Sequence, residues 1–195
     1  MSDGRPHAVT IRGYRLFEPV EWLDANRDAD FRKIYTVTMP VLFRIALRIA
    51  GNEEAAEDLC HDALIKMTEK NMKFPSINDA KYWLIRVVKN ASLNYAKRKG
   101  RERRAYERAL KEDRRTVDSG ETTLLKGESI QQVQDALGKL PENLRTVLQL
   151  KEYGELNYKE IGRVLGITEG NVKVRVFRAR EQLSRLIGED DVYMP

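Results

Sequence analysis

Five residues in the stretch 157–186, NYKEIGRVLGITEGNVKVRVFRAREQLSRL, have side chains suited to reading a DNA duplex: Asn171, Lys173, Val174, Arg175 and Arg178. Their spacing places them on the outer face of one helix, with Val172, Val176, Ala179 and Leu183 on its inner face. The major groove admits an α-helix, and there Arg can donate two hydrogen bonds to guanine while Asn pairs with adenine. Such a helix must be held at a fixed angle by a partner. Asn157 and Glu160 have capping-box spacing for a preceding helix that runs through Leu165. Gly166 suits a left-handed stop, Ile167 can plug the space between the two helices, and Thr168 can cap the second. Two short helices joined by a tight turn, the second basic, form a helix-turn-helix. The alternative is an ordinary helical hairpin with a polar face.

Charge placement adds a second feature. The 195 residues carry a formal net charge of only +5, with a pI near 9.3, but the charges are segregated. Lys81 to Arg115 holds thirteen Lys or Arg against four acidic residues, and Lys159 to Arg185 holds seven against three. Two separated basic segments suit a chain that touches phosphates in two places, although each alone also fits a solvated helix face. Glu53 to Lys70 is the reverse, with six acidic residues against two lysines. Within it Asp58, His61, Asp62 and Ile65 recur at steps of three and four and share one helix face. That face is either solvated or able to dock a basic helical partner.

The elements that carry these residues read as helices throughout, which predicts an all-α protein of two small helical domains joined by a flexible linker. Phe31, Ile34, Thr38, Leu42, Ile45 and Ile49 form the stripe of a first helix, ended by Gly51 and expected to kink or divide at Pro40. Asn52 can cap a second helix, with Ala56, Leu59, Ala63 and Met67 facing inward. After a loop at 71–77, Asn78 and Asp79 are expected to open a third, in which Trp83, Leu84, Val87, Val88 and Ala91 pack inward. Residues 112–128 lose periodicity and read as the linker; Ile130, Val133, Leu137 and Leu140 begin the second domain, and Pro141 can start its next helix. The expected division is 1–27 as an extension of no assigned role, 28–111 and 129–188 as the two domains, and 189–195 as a tail.

The blocks AAEDLCHDALIKM and YWLIRVVKNASLNYAKRKGR resemble region 2 of extracytoplasmic-function (ECF) RNA polymerase sigma factors, of the sigma-70 family. The later block LPENLRTVLQLKEYGELNYKEIGRVLGITEGNVKVRVFRAREQL resembles their region 4. The resemblance implies a transcription initiation factor for a specialised regulon. It would bind core RNA polymerase through Asp58, His61, Asp62 and Ile65. Region 2 would capture a melted strand of the downstream promoter element, and region 4 would read the upstream element through Asn171, Lys173, Val174, Arg175 and Arg178. A single strand needs cations and stacking surfaces, and Phe74, Ser76, Ile77, Tyr82, Arg86, Lys89, Asn90, Lys97 and Arg98 supply those types. Trp83 reads as core, and Asn90 as a buried amide or a base contact. The chain departs from the family's usual residues at His61, Asp62, Asn94, Gly162, Asn171 and Val174, which bears on promoter preference. Gly162 should cost its helix up to about 1 kcal/mol relative to Ala.

The resemblance also implies an anti-sigma protein as a partner. A stand-alone helix-turn-helix regulator is the alternative function, but it would have no use for an acidic docking helix followed by a basic one. An enzyme is not expected, since no nucleophile-base pair or phosphate-cradling glycine loop is legible. No cofactor is expected. One cysteine, Cys60, and two histidines cannot assemble a zinc site, and Cys60 reads as packing. Nothing approaches a membrane-spanning run, and Met1 to Gly13 lacks a signal's apolar core, so no membrane insertion and a cytoplasmic location are expected.

Overall fold

A computed structural model describes residues 8–11, 14–17, 22–113 and 128–187. Most of the predicted linker, 114–127, and the tail at 189–195 lie outside the described residues. Seven helices dominate: α1 (Asp28–Ala50), α2 (Glu53–Glu69), α3 (Ile77–Asp113), α4 (Glu128–Lys139), α5 (Glu142–Glu152), α6 (Tyr158–Leu165) and α7 (Glu169–Ile187). Two short antiparallel ribbons accompany them, β1 (Ala8–Ile11) with β2 (Tyr14–Phe17) and β3 (Leu23–Asp24) with β4 (Lys73–Phe74). Both were invisible to helical periodicity, and each strand is only two to four residues long.

The N-terminal unit is the bundle of α1, α2 and α3. Ile34, Thr38, Leu42 and Ile45 of the predicted stripe are buried on α1, with Phe31 and Ile49 packed at its edge. Pro40 neither ends nor divides this helix, which runs 23 residues through it. The ring removes one backbone donor, but a 23-residue helix anchored on both sides of the proline by buried Ile34, Leu42 and Ile45 tolerates that loss. Gly51 stops α1 at φ 70°, in the left-handed region that glycine adopts without strain. Asn52 caps α2, its side chain accepting from the Ala55 N–H at 2.7 Å. On α2, Ala56, Cys60, Ala63, Leu64 and Met67 are buried, and Leu59 is half-buried.

Helix α3 begins at Ile77, one residue before the expected start. Its cap is Ser76: the Asp79 N–H donates to Ser76 Oγ at 3.2 Å, and the Ser76 hydroxyl donates to Asp79 Oδ2 at 2.6 Å. The extension was expected to end at residue 27, but Leu23 and Asp24 pair with Phe74 and Lys73, and Ala25 is buried. Asp30 ties this strand to the start of α1. Its carboxylate accepts from Arg27 Nε at 2.7 Å and from the Asp24 N–H at 2.8 Å, and these bonds, Arg27 first, hold its pKa below the ordinary aspartate value.

The C-terminal unit is α4 to α7. Pro141 precedes α5, as predicted. Asn157 and Glu160 form a reciprocal capping box on α6, with the Asn157 N–H 2.8 Å from Glu160 Oε2 and the Glu160 N–H 2.9 Å from Asn157 Oδ1. Gly166 sits at φ 71°, and Val172, Val176, Ala179 and Leu183 of α7 are buried. Gly162 has a function beyond its helix propensity. A Cβ there would stand 2.7 Å from the carbonyl oxygen of Ile167, so the tight turn between α6 and α7 depends on the missing side chain. Gly162→Val therefore forces the turn apart and destabilises the C-terminal unit by about 1–3 kcal/mol, measured by thermal or urea unfolding.

Candidate nucleic-acid and polymerase surfaces

Three surfaces carry the residues singled out by sequence. On α7, Asn171, Lys173, Val174 and Arg178 are exposed and Arg175 is half-buried, all on the face opposite the buried stripe. Thr168 accepts from the Asn171 N–H at 3.3 Å and so caps the helix. Two of the candidate readers are already engaged: Arg175 Nε donates to Asn171 Oδ1 at 3.1 Å, and Lys173 pairs with Glu169 at 2.9 Å. These i,i+4 contacts are exposed and exchangeable, so they orient the side chains without withdrawing them from a ligand. Phe177 is also exposed beside this face. Periodicity places it outward, but its apolar character gave no sign of a polar-ligand role.

On α2, Asp58, His61, Asp62 and Ile65 are all exposed, and Ile65 is 53% accessible despite being apolar. His61 also lines a shallow groove against α1, shared with Tyr35, Met39, Pro40, Phe43, Glu53 and Glu57. The acidic face thus borders the exposed Tyr35 and the partly buried Met39 and Phe43, a mixture suited to a protein partner. Its electrostatic part was legible in the sequence. The α1 side of the groove was not, because Tyr35 and Phe43 fall between the residues of the core stripe.

The third surface is the first half of α3 and the loop before it. Here the structure divides the predicted residues. Phe74 is buried, and its ring packs on Trp83 with centroids 6.0 Å apart, so it supports the surface from within rather than offering a stacking face. The Ser76 hydroxyl is committed to the cap, and Ile77 packs against the core. Asn90, Lys97 and Arg98 are exposed, which removes the buried-amide reading of Asn90. Lys89 is half-buried, and burial lowers its pKa from the usual lysine value. Trp83 is half-buried, as a core residue at the edge of a cleft.

Tyr82 and Arg86 are bound by the other unit. The Tyr82 hydroxyl donates to Glu160 Oε1 at 3.0 Å, and Lys81 Nζ lies 3.3 Å from the same oxygen. Arg86 Nε donates to the Val164 carbonyl at 2.9 Å, and its terminal nitrogen donates to the Arg163 carbonyl at 2.6 Å. Between these contacts lies an open cleft of about 780 Å³, lined by Phe74, Tyr82, Trp83 and Arg86 on one side and Gly162, Arg163 and Ile167 on the other. Burial pushes the Glu160 carboxyl up, but the Asn157 N–H, the Tyr82 hydroxyl and Lys81 together outweigh it and leave its pKa below the ordinary value. Burial, then the bond to Glu160, raises the Tyr82 phenol to about 12. Sequence reasoning missed Lys81 and the second role of Glu160; the capping spacing that exposed the first role contains no trace of a partner 79 residues away.

Among the described residues no group of three or more His, Cys, Asp or Glu could hold a metal ion, and no helix is long and apolar enough to cross a membrane. Cys60 is buried, and burial raises its thiol to about 12.

Comparison with known proteins places two family models on the chain. The model of Sigma-70 region 2 matches residues 34–102, and that of Sigma-70, region 4 matches residues 130–183. The ECF RNA polymerase sigma factor SigE of Mycolicibacterium smegmatis is 31% identical over 73% of this chain, a match that spans only 55% of that relative. The ECF RNA polymerase sigma-E factor of Haemophilus influenzae is 32% identical, over 67% of this chain and 73% of its own length. Among solved structures, RpoE from Bartonella quintana, in complex with the anti-sigma factor NepR, is similar with a TM-score of 0.55 at 24% identity, covering 84% of this chain and 99% of that one. CnrH, in complex with the cytosolic domain of CnrY, gives 0.58 at 19% identity, covering 86% and 93%. At these identities the structural likeness concerns the fold.

The depressed pKa of Glu160 gives its contacts a pH dependence. A lowered carboxylate contributes stability that is present above its unfolded pKa and lost as pH falls through the folded one. The stability difference between the wild-type chain and Glu160→Gln is therefore largest near neutrality and shrinks on acidification through that window, as read from urea unfolding at a series of pH values.

Proposed function

The chain belongs to the ECF sigma factors of the sigma-70 family, and from that premise we propose that it binds core RNA polymerase and directs it to promoters, with the work divided between its two units. The observation that carries this reading is the coexistence of two blocks in the family's order: an exposed acidic and apolar face on α2 followed by a basic α3, and then a capped helix-turn-helix. A stand-alone DNA-binding regulator would need only the last of these.

In the proposed division, Asp58, His61, Asp62 and Ile65 dock a basic helical element of the polymerase. Charge steers the encounter, and the exposed Ile65 supplies apolar area at its centre. The α3 surface holds the melted downstream strand through Tyr82, Arg86, Lys89, Asn90, Lys97 and Arg98, with the buried Phe74 and the half-buried Trp83 packed on it as the rigid floor. Ser76 and Ile77 contribute by fixing the start of that helix. Residues Asn171, Lys173, Val174, Arg175 and Arg178 of α7 enter the major groove of the upstream element. The protein acts as a binding subunit without catalysis of its own, working in the cytoplasm, where the polymerase is. The complex of RpoE with the anti-sigma factor NepR favours an anti-sigma partner for this chain as well.

Two outcomes test the division. Reversing charge at Asp58 and Asp62 to Lys weakens binding to core polymerase in a pull-down or anisotropy titration while leaving binding of the upstream duplex intact. Arg178→Ala does the converse, lowering affinity for the upstream duplex by about 1–3 kcal/mol if it makes a bidentate base contact and less if it touches phosphate alone. A chain that binds no core enzyme at all would sink the reading.

A further inference from the structure

We infer that the chain carries a small-molecule site separate from its DNA-binding faces: a cavity of about 290 Å³, lined from α1, α3, α4 and α5, with the chemistry to hold a nucleoside monophosphate. The inference goes beyond the polymerase reading and does not depend on it.

The residue types on the cavity wall carry it. Gln149 lines the cavity and is only 8% exposed, and its Oε1 accepts no hydrogen bond from the described residues. Buried amide oxygens are normally paired, so this one calls for a donor from outside the chain. The last torsion of a glutamine is soft, and a small turn of the amide presents the oxygen to the cavity. Charge gathers on the same wall: Arg48, Lys97 and Arg145 stand against the single carboxylate of Glu142, an excess of two positive charges. Arg48 is stacked 4.4 Å over the ring of Tyr153, which fixes the plane of its guanidinium. Arg145 directs Nη1 to the Gly138 carbonyl at 3.0 Å and, more loosely, to that of Leu137, which leaves the rest of its donor fork for a ligand. Lys97 is tied to Glu142 at 2.8 Å, but that pair is exposed and exchangeable, so a phosphate can take the place of the carboxylate.

Together these groups select the ligand. A phosphate monoester brings about two negative charges and three acceptor oxygens, which balance the excess charge and match the guanidinium forks. Ile49, Leu93, Ala96 and Leu137 supply an apolar wall for the faces of a nucleobase, whose edge offers the N–H that Gln149 lacks. Free phosphate would leave that wall and the amide unanswered, and a bare nucleoside would leave the cations. The volume lies near the lower end of the roughly 300–1,000 Å³ typical of small-molecule sites, which suits one nucleotide and not an oligonucleotide. Lys97 is the only lining residue that also belongs to the proposed strand-binding set, so Arg145 and Gln149 can be changed without touching a DNA-binding residue.

The test titrates the full chain with guanosine 5′-monophosphate, guanosine and inorganic phosphate in turn by isothermal calorimetry. The nucleotide is expected to bind at least about tenfold more tightly than either of its parts. Gln149→Leu keeps the size of the side chain and removes an unpaired buried oxygen, so its thermal midpoint holds or rises while nucleotide affinity falls about tenfold. A merely structural glutamine would show the reverse, a lower midpoint with affinity unchanged. Arg145→Gln lowers affinity about fivefold to tenfold, whereas Arg185→Gln, which removes a charge from α7 away from the cavity, leaves it unchanged. Amide shifts in nuclear magnetic resonance spectra of the wild-type chain locate the nucleotide without any substitution, and are expected at residues 48–49, 93–97 and 137–149. Nucleotide binding no tighter than that of phosphate, shifts centred instead on α7 or the first half of α3, or an affinity unmoved by Gln149→Leu each overturns the inference.

Discussion

The carboxylate of Glu160 joins local and tertiary structure at one point. Oε2 accepts from the Asn157 backbone and thereby starts α6, and Oε1 receives the Tyr82 hydroxyl and the Lys81 ammonium of α3. Burying a carboxylate is unfavourable unless its oxygens are satisfied, and here three donors outweigh the loss of water. The same group thus starts α6 and ties it to α3. At the far end of α6, Arg86 receives the carbonyls that the helix cannot satisfy itself. The helix is thus capped by its own asparagine at one end and by the neighbouring unit at the other.

Rigid support for the DNA-reading helix follows from that placement. With α6 fixed, the close turn at Gly162 and the left-handed Gly166 leave α7 one way to fold back, burying Val172, Val176, Ala179 and Leu183. The readers on the opposite face inherit their direction from this packing. A second close approach repeats the device at the other seam, where a Cβ on Gly154 would stand 2.6 Å from the Leu150 carbonyl and 3.2 Å from Ile45 of α1. In both places the absence of a side chain lets backbone and neighbour meet.

The N-terminal unit is organised differently, around apolar packing with polar ties at its margin. Asp30 holds the strand at Leu23–Asp24 to α1, and that strand in turn orders Phe74 beneath Trp83. The surface proposed to meet a melted strand therefore rests on a small ribbon and an aromatic pair rather than on a helix face alone.

Sequence alone determined the helices of both units, the caps at Asn52 and Asn157, the stop at Gly166, the inward stripe of α7 and the exposed acidic face of α2. All depend on residues within about one or two turns of each other, where period and capping chemistry act. The division it allowed at Pro40 does not occur, because propensity at one residue yields to buried anchors on both sides, and it placed Phe74 at a surface because a loop aromatic has no period to betray its burial. The short ribbons also escaped it, being too brief to show alternation. What only the tertiary structure decided is the meeting of the units. Arg44 reaches Tyr153 across 109 residues and Arg86 reaches Val164 across 78, and no local pattern encodes which of many cations will find which carbonyl. Those choices were made by shape, once two separately legible surfaces had folded and met.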